Sequence, residues 1–178
     1  YMFDYMQAGA YDIYITLLGY YPIILRNIEI FEDRGLGSFI LHPIESLEHI
    51  MVSQDDNVPA FREIRTAVEY LQEFGSGTIY IGSGEYTGEH NRNIRWYPMN
   101  LTNYSEPLHI RIRAFEPHSV VLDCEGVGTA FVFDNEGMDN FYTEDDLIEG
   151  LVIRNAEQGI VIRNGSPVIR NNIIENCH

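Results

Sequence analysis

The chain has 178 residues, of which 45% are hydrophobic and 21% are charged, and its formal net charge is −16. This length allows one domain or two small ones, and the apolar content is sufficient for a core. The negative charge argues against nucleic acid as a partner, because a phosphate backbone would be repelled. No apolar run approaches the length of a membrane-spanning helix, so we expect no transmembrane segment in this chain.

The first 45 residues predict a small β module. Residues 10–17, 21–30 and 38–41 are strand patterns, rich in β-branched and aromatic side chains. They are separated by turn-forming stretches at 18–20 and 33–37, where glycine recurs.

A single helix is predicted over residues 61–74. Its apolar positions recur at helical spacing, which gives one face for packing. The residues that carry this face are Phe61, Ile64, Val68 and Leu71. Asn57 and Pro59 are start signals, and Gly75 begins the stop.

The last sixty residues contain a short repeat. Residues 151–156 superpose on 172–177, an offset of 172 − 151 = 21, and residues 120–124 superpose on 151–155, an offset of 31. Residues 130–135 align with 159–164 in the same way. We attribute the longer offset to a polar insertion at 136–146. Three short strands in about 21 residues predict one coil of a parallel β-helix, so we expect stacked parallel strands from about residue 77 onward.

Several motifs extend this pattern upstream. After the helix come Gly77-Thr-Ile-Tyr-Ile-Gly-Ser-Gly-Glu-Tyr-Thr-Gly and Asn91-Arg-Asn-Ile, followed by Val121-Leu-Asp-Cys-Glu-Gly and Ser166-Pro-Val-Ile-Arg-Asn-Asn. With these motifs, the segment from about residue 50 resembles the start of a right-handed parallel β-helix of the pectate-lyase-like superfamily, in its bacterial surface and secreted branch. Residues 1–11 and 18–21 resemble a carboxypeptidase-regulatory-like module, which is a small β-sandwich.

The two resemblances imply a mostly β fold in two parts. Residues 1–45 are expected to be part of the β-sandwich module, and residues 46–178 to be the N-terminal capping helix and first coils of the β-helix. Because the chain begins without methionine and stops directly after a strand, we expect a fragment of a longer protein with further coils.

The resemblance also implies a class of function. The expected protein is a secreted or cell-surface multidomain protein whose solenoid serves as a structural, adhesive or glycan-binding scaffold. The alternative is a polysaccharide lyase or glycoside hydrolase acting on acidic polysaccharide. Polysaccharide or a surface glycan is the expected partner, and the location is extracellular by resemblance, with no signal peptide in this sequence.

One charged column is a candidate catalytic set. The repeat register places Asp123, Arg154 and Glu175 in line on the outer face. Pectate lyases use acidic residues for calcium and an arginine as base, so the resemblance makes these three residues weak catalytic candidates. An alternating charge ladder on neighbouring strands gives the same pattern, and we favour that interpretation. We therefore expect no enzymatic activity from this chain.

Two further sets are weak binding candidates. Asp139, Glu144, Asp145 and Asp146 form an acidic loop that could hold calcium, although a solvated turn is preferred because the loop lacks the alternation and glycine of a dedicated calcium site. No other cofactor is expected. Aromatic residues in predicted loops could stack on sugar rings or pack against the solenoid wall. These are Trp96, Tyr97, Tyr104 and Tyr142.

The repeat also assigns side-chain directions by period-two alternation. The residues expected to point inward are Val120, Leu122, Leu151, Ile153, Ile160, Ile162, Ile169 and Ile174. Asn155 and Asn176 are expected to form an internal amide ladder at a bend. Cys124 and Cys177 lie about two strand spacings apart in this register, so both are expected to be free. The coil that begins at 173 leaves an uncovered edge through which the chain is expected to self-associate.

Overall fold

The computed structural model of the chain describes residues 9–30, 38–99, 106–135 and 141–178. The chain divides into two compact units, Tyr1–Ile44 and Glu45–His178. The described residues form thirteen strands and one α-helix, so the fold is mostly β, as predicted.

The described part of the first unit is an antiparallel hairpin. Strand β1 (Gly9–Ile15) pairs with β2 (Ile23–Ile30), and the register shifts between Tyr11 and Ile13. The strand predicted at 38–41 does not form. Instead, the Tyr21 amide donates to the His42 carbonyl, and Tyr20 makes an isolated bridge with Pro43.

The second unit begins with a short strand and the helix. Its elements in chain order are β3 (Ile50–Val52), α1 (Ile64–Phe74), β4 (Gly77–Ile81), β5 (Gly84–Tyr86), β6 (Ile110–Ala114), β7 (Val120–Asp123), β8 (Thr129–Phe133), β9 (Leu147–Glu149), β10 (Leu151–Arg154), β11 (Gln158–Ile162), β12 (Val168–Arg170) and β13 (Ile173–Glu175). Single 3-10 turns lie at Leu47–His49 and Glu89–Asn91.

These strands belong to three parallel sheets. The first sheet has the order β12-β9-β6-β4-β3, the second β13-β10-β7-β5, and the third β11-β8. From β6 to β13, consecutive strands enter the first, second and third sheet in a fixed cycle. The preceding turn follows the same path, because β4 and β5 lie in the first and second sheets and Ile94 bridges to Phe131 of β8.

The observed registers confirm the repeat that was read from the sequence. Val152 faces Ile173, an offset of 173 − 152 = 21 residues. Leu151 faces Val120, an offset of 151 − 120 = 31 residues. The longer offset spans the connection between β8 and β9, whose residues 136–140 lie outside the described part of the chain.

The core lies on the inner faces of these sheets. Val120, Leu122, Leu151 and Ile153 are fully buried, as predicted. On the outermost strands, Ile160, Ile162, Ile169 and Ile174 are in register with the buried Phe131, Phe133, Ile148 and Ile153, which agrees with the predicted inward direction. They are nevertheless less covered: Ile162 and Ile174 are 46% and 48% exposed, and Ile160 and Ile169 are half-buried. Because β11, β12 and β13 end their sheets, no described strand covers the far side of these residues.

The helix has the predicted face but a later start. Phe61, Ile64, Val68 and Leu71 are all buried. Phe61 is not helical, because its amide donates to Met51 and its carbonyl accepts from Ser53, at 2.9 Å each. The first helical amide, that of Ile64, donates to Oδ1 of Asn91 at 2.9 Å, a cap supplied from 27 residues away. The helix ends where predicted, at Gly75 with φ of 133°.

The asparagine bends are partly as predicted. Asn155 and Asn176 both adopt the left-handed conformation, with φ of 53° and 52°. The amide ladder is wrong, because Asn176 is exposed and the Asn155 amide donates to both carboxylate oxygens of Asp123, at 3.1 and 3.0 Å. A charged acceptor is a stronger partner than a neighbouring amide.

Both cysteines are free, as predicted. Cys124 is fully buried, and burial raises the pKa of its thiol to about 11. Cys177 is half-buried.

Candidate functional site

The charged column on the second sheet is an ion-pair network. Strand register places Arg154 between Asp123 and Glu175. The Arg154 Nε donates to Asp123 at 2.8 Å, and its Nη2 donates to Glu85 at 3.1 Å. Besides Asp123, Arg154 therefore has Glu85 of β5 as a partner. The sequence repeat did not predict this contact, because β5 was not aligned with the other strands.

The electrostatics of this column do not favour a catalytic base. Hydrogen bonding to Asp123 raises the pKa of Arg154, so the guanidinium holds its proton more tightly than usual. For Asp123, burial raises the pKa, but donors from the Glu125 amide, Arg154 and Asn155 outweigh it and lower the pKa overall. Both groups stay charged and paired at neutral pH, which suits a structural ladder.

The acidic loop contains one carboxylate that is wholly internal. Asp146 is 0% exposed, and its Oδ1 accepts from the Trp96 indole and the Ile110 amide, both at 3.1 Å. Its Oδ2 accepts from the Thr143 amide at 2.9 Å and lies 3.3 Å from Nδ1 of His109. These contacts use its oxygens to join three segments, so little of the carboxylate is left for a cation.

Two of the other proposed calcium ligands face solvent, unlike Asp146. Glu144 and Asp145 are exposed, and Asp145 pairs with Arg111 at 2.9 Å. Asp139 lies outside the described residues. Within the part of the chain that the structure describes, no three His, Cys, Asp or Glu side chains are grouped so that they could hold a metal ion.

Two of the aromatic candidates form part of the core. Trp96 and Tyr142 pack edge-to-face with Phe133, at ring-centroid distances of 5.0 and 5.1 Å. The Tyr142 hydroxyl donates to the Trp96 carbonyl, and both side chains are buried. Their faces are therefore used in packing and are not open to a sugar ring. Both residues lie in loops, as predicted, and of the two alternatives for their rings the structure has the packing one, through contacts that span 46 residues of sequence.

The remaining aromatic candidates differ. Tyr97 is half-buried, and the Arg95 guanidinium lies over its ring, 5.2 Å from the centroid. The Tyr97 backbone is fixed by Gln72, whose side chain bonds both its amide and its carbonyl. Tyr104 lies outside the described residues.

A groove on the outer face of the first sheet is the feature that the sequence reading missed. Its volume is about 270 Å³. The side chains that line it are Arg111, Arg113, Glu144, Leu147, Val168 and Arg170. We call it the arginine groove. The pattern Ile110-Arg-Ile-Arg was a usable signal, because alternation on a strand puts both arginines on the face opposite the core.

Strand pairing builds the groove from two parallel columns. Arg111, Leu147 and Val168 are register neighbours in one column. Arg113, Glu149 and Arg170 form the other. Neighbouring strands lie about 4.8 Å apart, so side chains in each column stand within contact distance.

Glu149 organises the arginine side of the groove. It accepts from Nε of Arg113 at 2.7 Å and from Nε of Arg170 at 2.8 Å. Hydrogen bonding from Arg170, together with the bond and charge of Arg113, lowers the pKa of Glu149 despite partial burial. Tyr80 lies beside Arg113 in the same column and stacks on His49 with ring centroids 5.8 Å apart. The outer face thus runs from an aromatic pair to a set of guanidinium groups.

Comparisons with protein-family models, curated proteins and solved structures found no match to this chain. Among the described residues, no helix is long and apolar enough to cross a membrane.

Proposed function

We propose that residues 46–178 are the cap and first coils of a right-handed parallel β-helix, and that this solenoid is a structural, adhesive or glycan-binding scaffold of a secreted or cell-surface protein. The observation that carries the proposal is the cyclic order in which the chain enters three parallel sheets at offsets of 21 and 31 residues. The proposal also includes three further features: the three sheets close into one continuous solenoid, the solenoid is right-handed, and residues 1–45 are part of a β-sandwich module.

The geometry favours a scaffold over an enzyme. General acid–base chemistry needs groups whose pKa values are separated and placed near the operating pH. In the column, the hydrogen bond to Asp123 raises the pKa of Arg154, and donors from the Glu125 amide, Arg154 and Asn155 lower that of Asp123 overall, so both pKa values move away from neutrality. A polysaccharide lyase or glycoside hydrolase therefore remains the second candidate.

A glycan array and a lyase assay test this choice. We expect the purified chain to retain at least one class of saccharide on the array and to release no unsaturated sugars from pectin or alginate. Release of unsaturated sugars that disappears in Arg154→Ala would overturn the scaffold proposal and restore the column as a catalytic site.

We also propose that the chain self-associates through β11 and β13. Both strands end their sheets, and Ile162, Ile173 and Ile174 are exposed beside these edges. An open strand edge next to apolar side chains favours pairing with another copy. Sedimentation should show a concentration-dependent oligomer that is weakened by Ile174→Lys, whereas a monomer at all concentrations would contradict this proposal.

A further inference from the structure

The arginine groove has unused hydrogen-bond donors. Arg113 and Arg170 share one carboxylate, that of Glu149, so this trio carries one uncompensated positive charge. Arg170 gives two N–H groups to Glu149, from Nε and Nη2, and a guanidinium has five. Its side chain is 53% exposed. The remaining donors therefore face water, and an incoming acceptor can reach them.

Arg111 on the opposite column is also available. It pairs with Asp145 at 2.9 Å, but the two side chains are 42% and 55% exposed. Exposed pairs of this kind are weak, because water screens both charges. An acceptor that binds Arg111 and Arg170 together can displace Asp145 at little cost.

The floor between these arginines is aliphatic. Leu147 and Val168 are register partners on adjacent strands and line the groove. A free inorganic anion gains nothing from such a floor. A ligand with an apolar ring face and a charged edge uses both parts, and a sugar ring that carries an acidic group has this character.

We propose that the arginine groove binds the oxyanion group of an acidic saccharide, either a carboxylate or a sulfate ester. This inference rests on the proposed glycan-binding function and gives that function a ligand class and a site. Arg111 and Arg170 hold the oxyanion by charge-assisted hydrogen bonds, Leu147 and Val168 contact the ring, and Glu149 orients Arg170. Glu144 also lines the groove and should weaken binding, because its negative charge repels an anionic ligand.

Calorimetric titration of the full chain tests the proposal with three probes: a mannuronate trisaccharide, a sulfated maltotriose and uncharged maltotriose. We expect one or both acidic probes to bind and the uncharged probe not to bind, and the acidic probe that binds more tightly identifies the oxyanion. Arg111→Gln and Arg170→Gln should each weaken binding about tenfold. Glu144→Gln should strengthen it about threefold, a gain that misfolding cannot produce.

Arg163→Gln is the matched control. Arg163 pairs with Asp134 at 2.6 Å on the third sheet, away from the groove, and is itself exposed. The proposal is overturned if no acidic probe binds, if maltotriose binds equally well, or if Arg163→Gln weakens binding as much as Arg170→Gln. If the chain binds saccharides on the array and neither Arg111→Gln nor Arg170→Gln changes that binding, the arginine groove is not the binding site. The proposed scaffold function would be unaffected by that result.

Discussion

Substitution of Asp146 should strongly destabilise the fold, although its place in an acidic loop predicts a solvated side chain. In Asp146→Ala, the Trp96 indole, the Ile110 amide and the Thr143 amide all lose their acceptor inside the protein. Each buried donor without a partner costs about 1–3 kcal/mol. With partial relaxation, we expect a loss of about 4 kcal/mol or more, which is a large share of the stability of a typical domain.

Urea unfolding monitored by Trp96 fluorescence measures this effect directly, since Trp96 is the single tryptophan. With a denaturant slope of about 2 kcal/mol per molar, the midpoint should fall by about 2 M. Asp145→Ala is the control: it removes an adjacent carboxylate whose exposed pair with Arg111 is worth about 1 kcal/mol or less. A midpoint shift for Asp145→Ala equal to that for Asp146→Ala would refute the assignment of Asp146 as an internal acceptor.

Three further predictions concern the sheets and the cysteines. Ile153→Asp places a carboxylate in the core and should abolish folding. Arg154→Gln changes a side chain on the outer face and should leave the urea midpoint near that of the wild type. If Ile153→Asp folded with a midpoint similar to that of Arg154→Gln, the assigned side-chain directions would be contradicted. Glu149 has a lowered pKa in the fold, so its stabilisation is present above its ordinary pKa of 4.5 and is lost as the pH falls through the lowered value. Glu149→Gln should therefore show a smaller loss of stability below pH 4.5 in acid titrations, and an unchanged acid profile would argue against the pairing. Alkylation at neutral pH should label Cys177 before Cys124, whose buried thiol has its pKa raised to about 11, and mass spectrometry showing equal labelling would contradict its burial.

The registers of β7, β10 and β13, and that of β8 with β11, could be predicted because a short-range sequence pattern marks these strands. Short β-branched runs that end in Arg-Asn recur at a fixed interval, and each run alternates inward and outward residues. This was enough to pair Leu151 with Val120 and Val152 with Ile173. It also placed Asn155 and Asn176 at left-handed bends, since asparagine tolerates that conformation.

The internal contacts of the loops could not be predicted in the same way. Asp146 meets Trp96 across 50 residues, and no periodic pattern links the two segments. The side-chain amide of Asn155 donates to Asp123 and not to Asn176, its predicted ladder partner, because a carboxylate is a stronger acceptor than an amide. The arginine groove was not predicted from the sequence, because the interval between β6 and β9 is longer than the repeat. Arg111 was therefore not aligned with Leu147, its register partner.

Disulfide trapping of the strand register tests the central claim most directly. In a background without Cys124 and Cys177, the pair Val152→Cys and Ile173→Cys joins register partners on adjacent parallel strands. Their Cα atoms should lie about 4.8 Å apart, within the range that a disulfide spans. We expect rapid oxidation of this pair in the folded chain, and none for Val121→Cys with Ile173→Cys, which are separated by two strand spacings. Failure of the first pair to oxidise, or equally fast oxidation of the second, would contradict the parallel stack.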